Sequence, residues 1–536
     1  MLHKYRSVSA KQQGIMRAMV WFLAVIGLGI GPVVGLAQQR LAQQRLAALR
    51  LADVWQSGMV VQRGQPVTVW GWGIPGKRIK VTFGRSVTQT RVAPDASWQV
   101  RFPARKAAAI PVELRVESGT DQQILTDILV GDVWLCAGQS NMAFPMTGDP
   151  SATRTLSGAG YPLLRLWNRI PGAFKYNQSF TTGEVAHLHP EQYFTHTPWQ
   201  TADSITARPF SAVGFYTGLV LQQALHIPIG LIHVAVGGSP AEAWLPPATT
   251  GPQAPFFTGD WWANPVLEPW CIQRGHENLD ALIKAGIPVP RDAGGYQHPY
   301  KPGFLYTAAI APLNRLAIKG ILWYQGESNA LSLARVQQHE TLFPAMISQW
   351  RQHRHQPGMP VYICQLSSIS TEKGYQSTYW PLFRDSQRRM ATHIPNMGMA
   401  VTSDLGHPTD VHPVNKKTVG ERLAREILVK TYGQKRLPAP QPQRVVRTAT
   451  GWRLTLTHTG TGLHTADGQA IRGFATGDAT GPQTNVTALF TGSAVLLSDT
   501  AAATGRYLYY GWQPFTTANV VNSEGLPLTT FRMPLP

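Results

Sequence analysis

The sequence predicts an α/β protein whose parallel sheet is flanked by β-rich regions at both ends. In the middle of the chain, near-continuous apolar runs alternate with helical stretches, which is typical of strands buried on both faces. Before this region apolar and polar residues alternate, as at Ile79, Val81 and Phe83. The alternation returns after it, as at Trp452 and Leu454. A period of two residues predicts half-buried strands, so a β domain is expected on each side.

Five apolar runs and three helical stretches, of which Ser211–Leu225 is predicted to be buried, define the predicted central sheet and its helices. The runs are Ile128–Ala137, Ile229–Val236, Ile318–Tyr324, Pro360–Leu366 and Met397–Thr402. The helical stretches are Ser211–Leu225, Ser332–Arg351 and Pro413–Val429. Strands that alternate with helices in this way form a parallel sheet. The segment 241–301, rich in Pro, Gly and Trp, interrupts the pattern and is predicted to be an insertion.

These patterns divide the 536 residues into five predicted segments. They are a signal peptide at 1–37, a linker at 38–51, a β-sandwich domain at 52–128, an α/β domain at 129–436 with the insertion at about 241–301, and a C-terminal β region at 437–536. The signal peptide is predicted because basic residues precede an apolar run from Met19 to Val34, and small residues follow at 35–37. The run is short for a membrane span. The mature protein is therefore expected to be periplasmic or secreted, with no stable membrane insertion after cleavage.

Charge and cysteine content argue against nucleic-acid and metal functions. The formal net charge is +19, but the basic residues are scattered and do not form the stripe that binds phosphates. Nucleic acid is therefore not expected as a partner. Cys136, Cys271 and Cys364 lack metal-ligand spacing, and two of them lie in apolar runs where a thiol behaves as a small hydrophobe. One disulfide among them stays open.

Polar residues follow four of the five predicted strands. Ser140 follows the first run, Gly237-Gly238 the second, Asn329 the third, and the segment Asp404–His412 the last. In an open parallel sheet, ligands bind beyond the carboxyl ends of the strands. Each residue by itself is typical of a turn or a helix cap. Their occurrence at one edge of one sheet nevertheless predicts a functional site there.

The residue types at this edge suit acyl transfer by a serine nucleophile. The Ser140 hydroxyl needs an adjacent base, and an imidazole with an ordinary pKa of about 6.5 can serve. His412 is the candidate base, and Asp410 is the candidate acid that orients it. Asp404 and His407 form a second acid–imidazole pair, so either pair could supply these groups.

Three donors are candidates for stabilising the oxyanion of such a reaction. They are the backbone N–H of Ser140, the backbone N–H of Gly238 or Gly237, and the side-chain amide of Asn329. An oxyanion hole needs several such donors aimed at the charge that develops in the transition state.

Several blocks of the sequence resemble one enzyme family. The blocks are Gly131–Met142, Gly237–Trp244, Trp323–Asn329, and Asp410–Pro413 followed by Val419–Ala424, with further similarity at Met59–Arg63, Val69–Trp72 and Asn522–Arg532. They closely resemble sialate O-acetylesterase-like proteins, a branch of the SGNH hydrolases. The resemblance extends over about residues 52–536.

The resemblance implies a carboxylic ester hydrolase without a metal or organic cofactor. It implies an SGNH-hydrolase-type, flavodoxin-like sandwich around a parallel sheet. Ser140, Asp410 and His412 inherit the triad roles, which favours Asp410/His412 over the second pair. Ser140, Gly238 and Asn329 inherit the oxyanion hole. The implied substrates are acetylated sugars, either hemicellulose-type glycans, which the Trp-rich insertion favours, or sialic acids. The alternative is a non-catalytic carbohydrate-binding protein on an SGNH scaffold.

Four further residues are candidates for binding substrate, namely Gln139, Glu242, Trp244 and Glu327. Aromatic rings bind sugars by stacking on their apolar faces, although buried tryptophans more often pack in cores. The chain departs from the family pattern at His407, where many relatives carry an acidic residue, and in its long insertion.

Overall fold

The computed structural model describes residues 49–158, 160–248, 250–498 and 505–536. The predicted signal peptide and most of the predicted linker lie outside these residues. Two compact units are present. The smaller contains residues 49–55, 68–102 and 113–125, and the larger contains residues 56–67, 103–112 and 126–536.

The N-terminal region is built from β-strands, as the period-two alternation predicts. They are β1 (Arg50–Leu51), β2 (Val60–Gln62), β3 (Val67–Trp72), β4 (Arg78–Phe83), β5 (Ser86–Arg91), β6 (Ser97–Phe102) and β7 (Ala108–Ser118). In the smaller unit β1, β3 and β6 form one sheet, and β4 pairs with β5 and β7. Ile79, Val81 and Phe83 are fully buried. The first strand lies in the last two residues of the predicted linker.

The larger unit contains the α/β region. Its strands are β8 (Asp121–Gly138), β9 (Tyr161–Pro171), β10 (Phe194–His196), β11 (Gln200–Ala202), β12 (Ile229–His233), β13 (Arg291–Asp292), β14 (Gly295–Tyr296), β15 (Gly320–Tyr324), β16 (Val361–Cys364) and β17 (Met397–Ala400). Its α-helices are α1 (Ser140–Ala143), α2 (Ala152–Leu156), α3 (Thr182–Ala186), α4 (Ala212–Leu225), α5 (Pro269–Lys284), α6 (Leu333–His353), α7 (Trp380–His393) and α8 (Lys416–Lys430). Short 3₁₀ turns include Ala241–Trp244, Glu327–Asn329 and Ser403–Leu405.

Six of these strands form a parallel sheet in the order β9-β12-β8-β15-β16-β17. The chain leaves β8 towards β9 and β12 on one side, and it later returns to β15 on the other side. The carboxyl ends of β8 and β15 therefore lie at a topological switch point, where open α/β sheets bind ligands. The predicted α/β class is confirmed, and the five apolar runs are the strands β8, β12, β15, β16 and β17.

Strand β9 and helix α7 of the α/β region were not predicted. Strand β9 carries Arg165 and Asn168, which interrupt its apolar run and are themselves buried against polar partners. Arg165 pairs with Asp127 at 2.5 Å, and the His233 imidazole donates to Asn168 Oδ1 over 2.7 Å. Helix α7 was missed because its sequence is rich in charged and amide side chains, several of which are buried.

Helices α4 and α8 pack closely against each other. A Cβ at Gly420 of α8 would lie 2.9 Å from the Val213 carbonyl oxygen and 2.7 Å from Tyr216 Cβ. Only a residue without a side chain allows this approach. Helix α8 begins three residues later than predicted, because Pro413 precedes it and the Asn415 side chain caps it by accepting from Thr418 N over 3.2 Å.

The C-terminal region consists of antiparallel sheets around a core of its own. Its strands are β18 (Gln441–Thr448), β19 (Gly451–Thr457), β20 (Leu463–Thr465), β21 (Phe474–Asp478), β22 (Gly481–Asn485), β23 (Ala488–Thr491), β24 (Ala494–Ser498), β25 (Tyr507–Tyr510), β26 (Val520–Asn522) and β27 (Phe531–Pro534). Two sheets have four strands each, in the orders β18-β19-β24-β23 and β22-β21-β25-β27. Trp452, Leu454 and Leu456 of β19 enter the core.

Arg384 of α7 fastens the C-terminal region to the α/β region. Its guanidinium is fully buried and donates to the carbonyls of Gly511 (3.0 Å), Gln513 and Pro514 (3.2 Å). Burial lowers the pKa of Arg384 to about 9. In the same area Gln365 Nε2 donates to Thr529 Oγ1 over 3.0 Å.

Replacing Arg384 with Met is expected to lower the free energy of unfolding by about 3 kcal/mol, because one buried and two partly buried carbonyls lose their donor. Urea unfolding monitored by circular dichroism measures this loss. The control is Arg453→Met on the exposed face of β19, which should change stability by less than about 0.5 kcal/mol. Equal stability of the Arg384→Met and Arg453→Met variants would contradict the fastening role.

Candidate active site

Ser140 lies directly beyond the carboxyl end of the central strand β8. The strand ends at Gly138, whose carbonyl accepts from Val236 N over 3.0 Å, and the Gln139 N–H donates to Tyr324 O over 2.9 Å. Gly138 has a φ of +138°, and a Cβ there would lie 2.1 Å from Tyr324 O. Glycine is therefore required for the chain to turn so close to β15. Ser140 is the first residue of α1, and its side chain is partly exposed.

The side chain of Asn141 joins three of the predicted motif segments. It is 1% exposed, and its Nδ2 donates to Glu327 Oε1 over 2.5 Å and to Val411 O over 3.0 Å. Lys416 Nζ donates to its Oδ1. Val411 directly precedes His412, so the residue after the candidate nucleophile is bonded to the residue before the candidate base. The predicted convergence of these segments is therefore present in the structure.

His412 and Asp410 lie together on the loop before α8. Asp410 Oδ1 accepts from the backbone N–H of His412 over 2.8 Å and lies 3.7 Å from its Nδ1. The side chain of His412 is 34% exposed, and that of Asp410 is 54% exposed. The Nδ1–Oδ1 distance is beyond hydrogen-bond range. Catalytic hydrogen bonds are often long in the absence of substrate, and a small rotation of the exposed carboxylate would close this one.

The second acid–imidazole pair has other partners. Asp404 forms a two-point ion pair with Arg422 of α8, with distances of 2.6 and 2.7 Å. His407 Nδ1 accepts from the backbone N–H groups of Thr409 (3.2 Å) and Asp410 (3.1 Å). These contacts shape the loop, and they favour Asp410 over Asp404 as the acid that faces His412.

Lys416 is a buried cation beside the candidate base. Its ammonium lies 4.8 Å from the ring centroid of Phe144 and 5.6 Å from that of Tyr324. Burial lowers the pKa of Lys416 to about 8. Burial also lowers the pKa of His412, Lys416 lowers it further, and Asp410 opposes both effects. The imidazole is therefore held neutral at neutral pH, which is the form that accepts a proton.

Glu327 is the anionic counterpart of Lys416. It is 2% exposed, and burial raises its pKa while the hydrogen bond from Asn141 lowers it. Glu327 and Lys416 bond to opposite ends of the Asn141 amide, so the cation and the carboxylate both orient it. Within the described residues, Glu327 Oε2 has no hydrogen-bond partner.

The three candidate oxyanion donors lie on neighbouring segments. Gly238 has a φ of +63°, and its carbonyl accepts from Ser328 Oγ over 3.0 Å. Within the described part of the chain, no acceptor contacts the N–H of Ser140 or that of Gly238. Asn329 Oδ1 accepts from Ala241 N over 2.9 Å, and its Nδ2 donates to Glu242 Oε2 over 2.8 Å. Asn329 is 1% exposed, and Glu242 is the one acceptor of its Nδ2 among the described residues.

The four candidate substrate-binding residues are buried and make contacts within the protein. Glu242 forms an ion pair with Arg335 of α6. Trp244 is fully buried and donates from its indole N–H to Ser239 Oγ over 2.9 Å. Gln139 Oε1 accepts from Gly326 N and Ser328 N, both over 3.4 Å. Like Glu327, these side chains brace the loops that carry the site, and their contact with substrate stays a prediction.

The described residues contain no group of three or more His, Cys, Asp and Glu side chains arranged to hold a metal ion. Cys136, Cys271 and Cys364 are buried free thiols. No helix in the described ranges is both long and apolar enough to cross a membrane.

The chain matches known carbohydrate esterases. A family model described as carbohydrate esterase, sialic acid-specific acetylesterase, matches residues 289–429. The sialate O-acetylesterase of Rattus norvegicus is 30% identical over 436 residues, which cover 75% of this chain and 77% of that protein. The chain belongs to the sialate O-acetylesterase family. The sialate O-acetylesterase of Homo sapiens is 29% identical over 439 residues, 75% of each chain.

A solved structure agrees with this family membership. The carbohydrate acetylesterase of Xanthomonas citri superposes with a TM-score of 0.74 at 29% identity, covering 91% of this chain and 99% of that one. The predicted enzyme class, a carboxylic ester hydrolase of the carbohydrate O-acetylesterase type, is therefore confirmed. In this member of the sialate O-acetylesterase family, sequence reasoning did not assign Asn141 or Lys416 to the site. Asn141 lies inside a recognised block and Lys416 lies between the two parts of the last block, and this position was the only signal.

Replacing Asn141 with Asp is expected to lower kcat about 100-fold, because the change removes the donor to Val411 and places a second carboxylate against Glu327. Steady-state hydrolysis of p-nitrophenyl acetate measures the effect. Asn485→Asp, on the exposed part of β22, is the matched control and should retain wild-type kcat. Wild-type activity of Asn141→Asp would show that the amide does not position the site.

Replacing Lys416 with Met is expected to move the acidic limb of the pH–rate profile to higher pH. The neutral imidazole is the active form, so activity rises with pH through the His412 pKa. Removing the buried cation raises that pKa towards its ordinary value. The profile of kcat/KM against pH measures the shift. Lys417→Met is the control, since Lys417 is part-exposed and pairs with Glu421. An unmoved acidic limb would refute the electrostatic role of Lys416.

Proposed function

We propose that the chain is a serine carbohydrate O-acetylesterase that uses Ser140 as nucleophile, His412 as general base and Asp410 as the acid that orients it. The observation that carries the proposal is the bond from Asn141 to Val411 O, which holds the segments of Ser140 and His412 together. The site residues themselves stay a proposal that rests on this geometry and on the family pattern.

The proposed reaction follows the usual course of serine acyl transfer. Ser140 Oγ attacks the acetyl carbonyl carbon while His412 takes the hydroxyl proton. His412 then returns that proton to the sugar oxygen as the ester bond breaks. A water molecule, deprotonated by His412, then attacks the acetyl carbon, and His412 returns the proton to Ser140 Oγ as its bond to the acetyl group breaks and acetate leaves. Asp410 stabilises the imidazolium that forms in both halves of the reaction.

The negative charge of each tetrahedral intermediate is proposed to be stabilised by the N–H of Ser140, the N–H of Gly238 and the side-chain amide of Asn329. The support is that these donors lie on segments at the switch point and that two of them contact no acceptor among the described residues. Losing one such donor typically lowers kcat by about 100-fold or more.

The domain organisation and location are proposed from the sequence. We propose an SGNH-hydrolase-type domain at 129–436, flanked by β domains at 52–128 and 437–536. The sheet order with β8 at its centre supports the first part. Residues 1–37 are proposed to be a signal peptide that directs the enzyme to the periplasm or the exterior.

The substrate is proposed to be an O-acetylated sugar, either in a hemicellulose-type glycan or in a sialic acid. The relatives support both classes, because two are sialate O-acetylesterases and one is a carbohydrate acetylesterase. Acetate release from acetylated xylo-oligosaccharides and from O-acetylated sialic acids separates the two classes.

Replacing Ser140 with Ala is expected to lower the hydrolysis of p-nitrophenyl acetate by about 1,000-fold or more, because the nucleophile is lost. Ser157→Ala, at an exposed position after α2, should retain wild-type rates. If Ser140→Ala and wild type turned over the ester equally, the serine mechanism would be wrong. If neither turned over any ester but both bound acetylated glycan, the chain would be a non-catalytic carbohydrate-binding protein.

A further inference from the structure

Phe174 and Tyr176 stand apart from the other aromatic residues of the chain. Among the described residues they are the two most exposed Phe, Tyr or Trp side chains, at 36% and 44% exposure. Their rings contact each other edge-to-face, with centroids 4.9 Å apart and planes at 79°. By contrast, Trp244 and Trp261 of the insertion are buried. Leaving two touching rings in water is unfavourable, and exposed apolar surface of this kind often marks a ligand-binding groove.

The pair lies on the turn that carries a proposed oxyanion donor. A Cβ added to Gly237 would lie 2.4 Å from Phe174 Cζ and 3.0 Å from Tyr176 Oη. A Cβ added to Gly238 would lie 3.1 Å from Tyr176 Cε1. The rings therefore rest directly on the backbone of both glycines, and a side chain at either position would displace them. This places the exposed pair next to the position of the scissile ester.

The insertion holds the pair in place. The Arg274 guanidinium of α5 lies 5.2 Å from the ring centroid of Tyr176 and donates to Asn177 Oδ1 over 2.5 Å. Asn278 of the same helix donates to Gln178 O over 2.5 Å. Helix α5 therefore hydrogen-bonds both a side chain and a backbone carbonyl of the segment that carries the two rings. A preorganised surface loses little entropy when a ligand binds.

The Tyr176 side chain is 44% exposed. Its Oη lies 3.0 Å from the position of a Cβ at Gly237 and 3.1 Å from that of a Cβ at Gly238. Burial raises the pKa of Tyr176 to about 12, with the charge of Arg274 opposing the shift and that of Glu327 adding to it. Burial raises the pKa of Tyr375, on the loop after β16, and charges at Glu327 and Tyr176 add to this.

We propose that Phe174 and Tyr176 form the sugar-binding wall of the active site, on which the apolar C–H face of an O-acetylated pyranose ring stacks. This inference rests on the proposed esterase function. It assigns recognition of the sugar to the segment after β9, and it leaves the tryptophans of the insertion as support. The planes lie at 79° to each other, so the sugar face stacks flat on one ring and meets the second ring at its side. The pair therefore favours a pyranoside over an acetyl ester that has no ring to stack.

Binding in the Ser140→Ala background tests the wall without any dependence on turnover. Isothermal titration measures the affinity for an acetylated xylo-oligosaccharide and for an O-acetylated sialoside. Two proteins are compared: the Ser140→Ala variant, and a triple variant that also carries Phe174→Ala and Tyr176→Ala. The two alanine substitutions are expected to lower the affinity for at least one glycan about tenfold. A variant that carries Tyr176→Phe in place of Tyr176→Ala keeps a ring at this position and should regain part of that affinity. Unchanged affinity for both glycans would overturn the proposal.

Steady-state kinetics of the active enzyme show whether the two rings bind the sugar or only support the Gly237-Gly238 turn. The double alanine variant is expected to raise KM for the acetylated glycan far more than for ethyl acetate, an ester that has no ring to stack on the pair. Tyr507→Ala, in β25, is the control for loss of a surface ring and should leave both reactions unchanged. An equal loss of kcat with both substrates would show that the pair only supports the Gly237-Gly238 turn. Absence of hydrolysis by the wild-type enzyme would refute the esterase mechanism, whereas the binding titration would still decide on the wall.

Discussion

The site depends on the hydrogen bonds of one buried carboxamide, the side chain of Asn141. An amide presents donors and an acceptor on one rigid group, and here both donors and the acceptor are used. The donors hold Glu327 and the backbone of Val411, and the acceptor takes the ammonium of Lys416. These partners lie 186, 270 and 275 positions away along the chain. A carboxylate or an alkyl group could not satisfy all three, so the relative placement of nucleophile and base follows from this residue type.

The order of strands in the sheet makes that bond possible. Because β8 is central and the chain crosses to β15 on its other side, the carboxyl ends of these two strands meet without a helix between them. Gly138 then allows the Tyr324 carbonyl oxygen to approach, and Gly326 allows the Phe383 ring to approach, at distances that a side chain on either glycine would forbid. A Cβ at Gly138 would meet Tyr324 O at 2.1 Å, and one at Gly326 would meet Phe383 at 2.4 Å. Topology and glycine together bring the nucleophile turn against the loop of Glu327.

Buried charge is the second constraint on the site. Lys416 and Glu327 are removed from water beside His412, and Glu242 pairs with Arg335 behind Asn329. Charges buried in this way are costly unless each has a partner, so they do not add stability in proportion to their number. Their effect is to fix the electrostatic potential at the imidazole and the orientation of the Asn329 amide. The aromatic pair on the glycine turn, in contrast, is left open where a sugar can reach it.

The sequence by itself determined the α/β class, five of the six parallel strands, and the strand ends that carry Ser140, Gly238, Asn329 and His412. Hydrophobic periodicity and glycine positions are local properties, so they can be read from neighbouring residues. Strand β9 and helix α7 escaped because their buried polar residues look like surface residues until their partners are known. The roles of Asn141 and Lys416, and the exposure of Phe174 and Tyr176, were decided only by the tertiary structure. Each depends on contacts between residues far apart in the chain, or on which side of a loop remains open to water, and no local pattern encodes either.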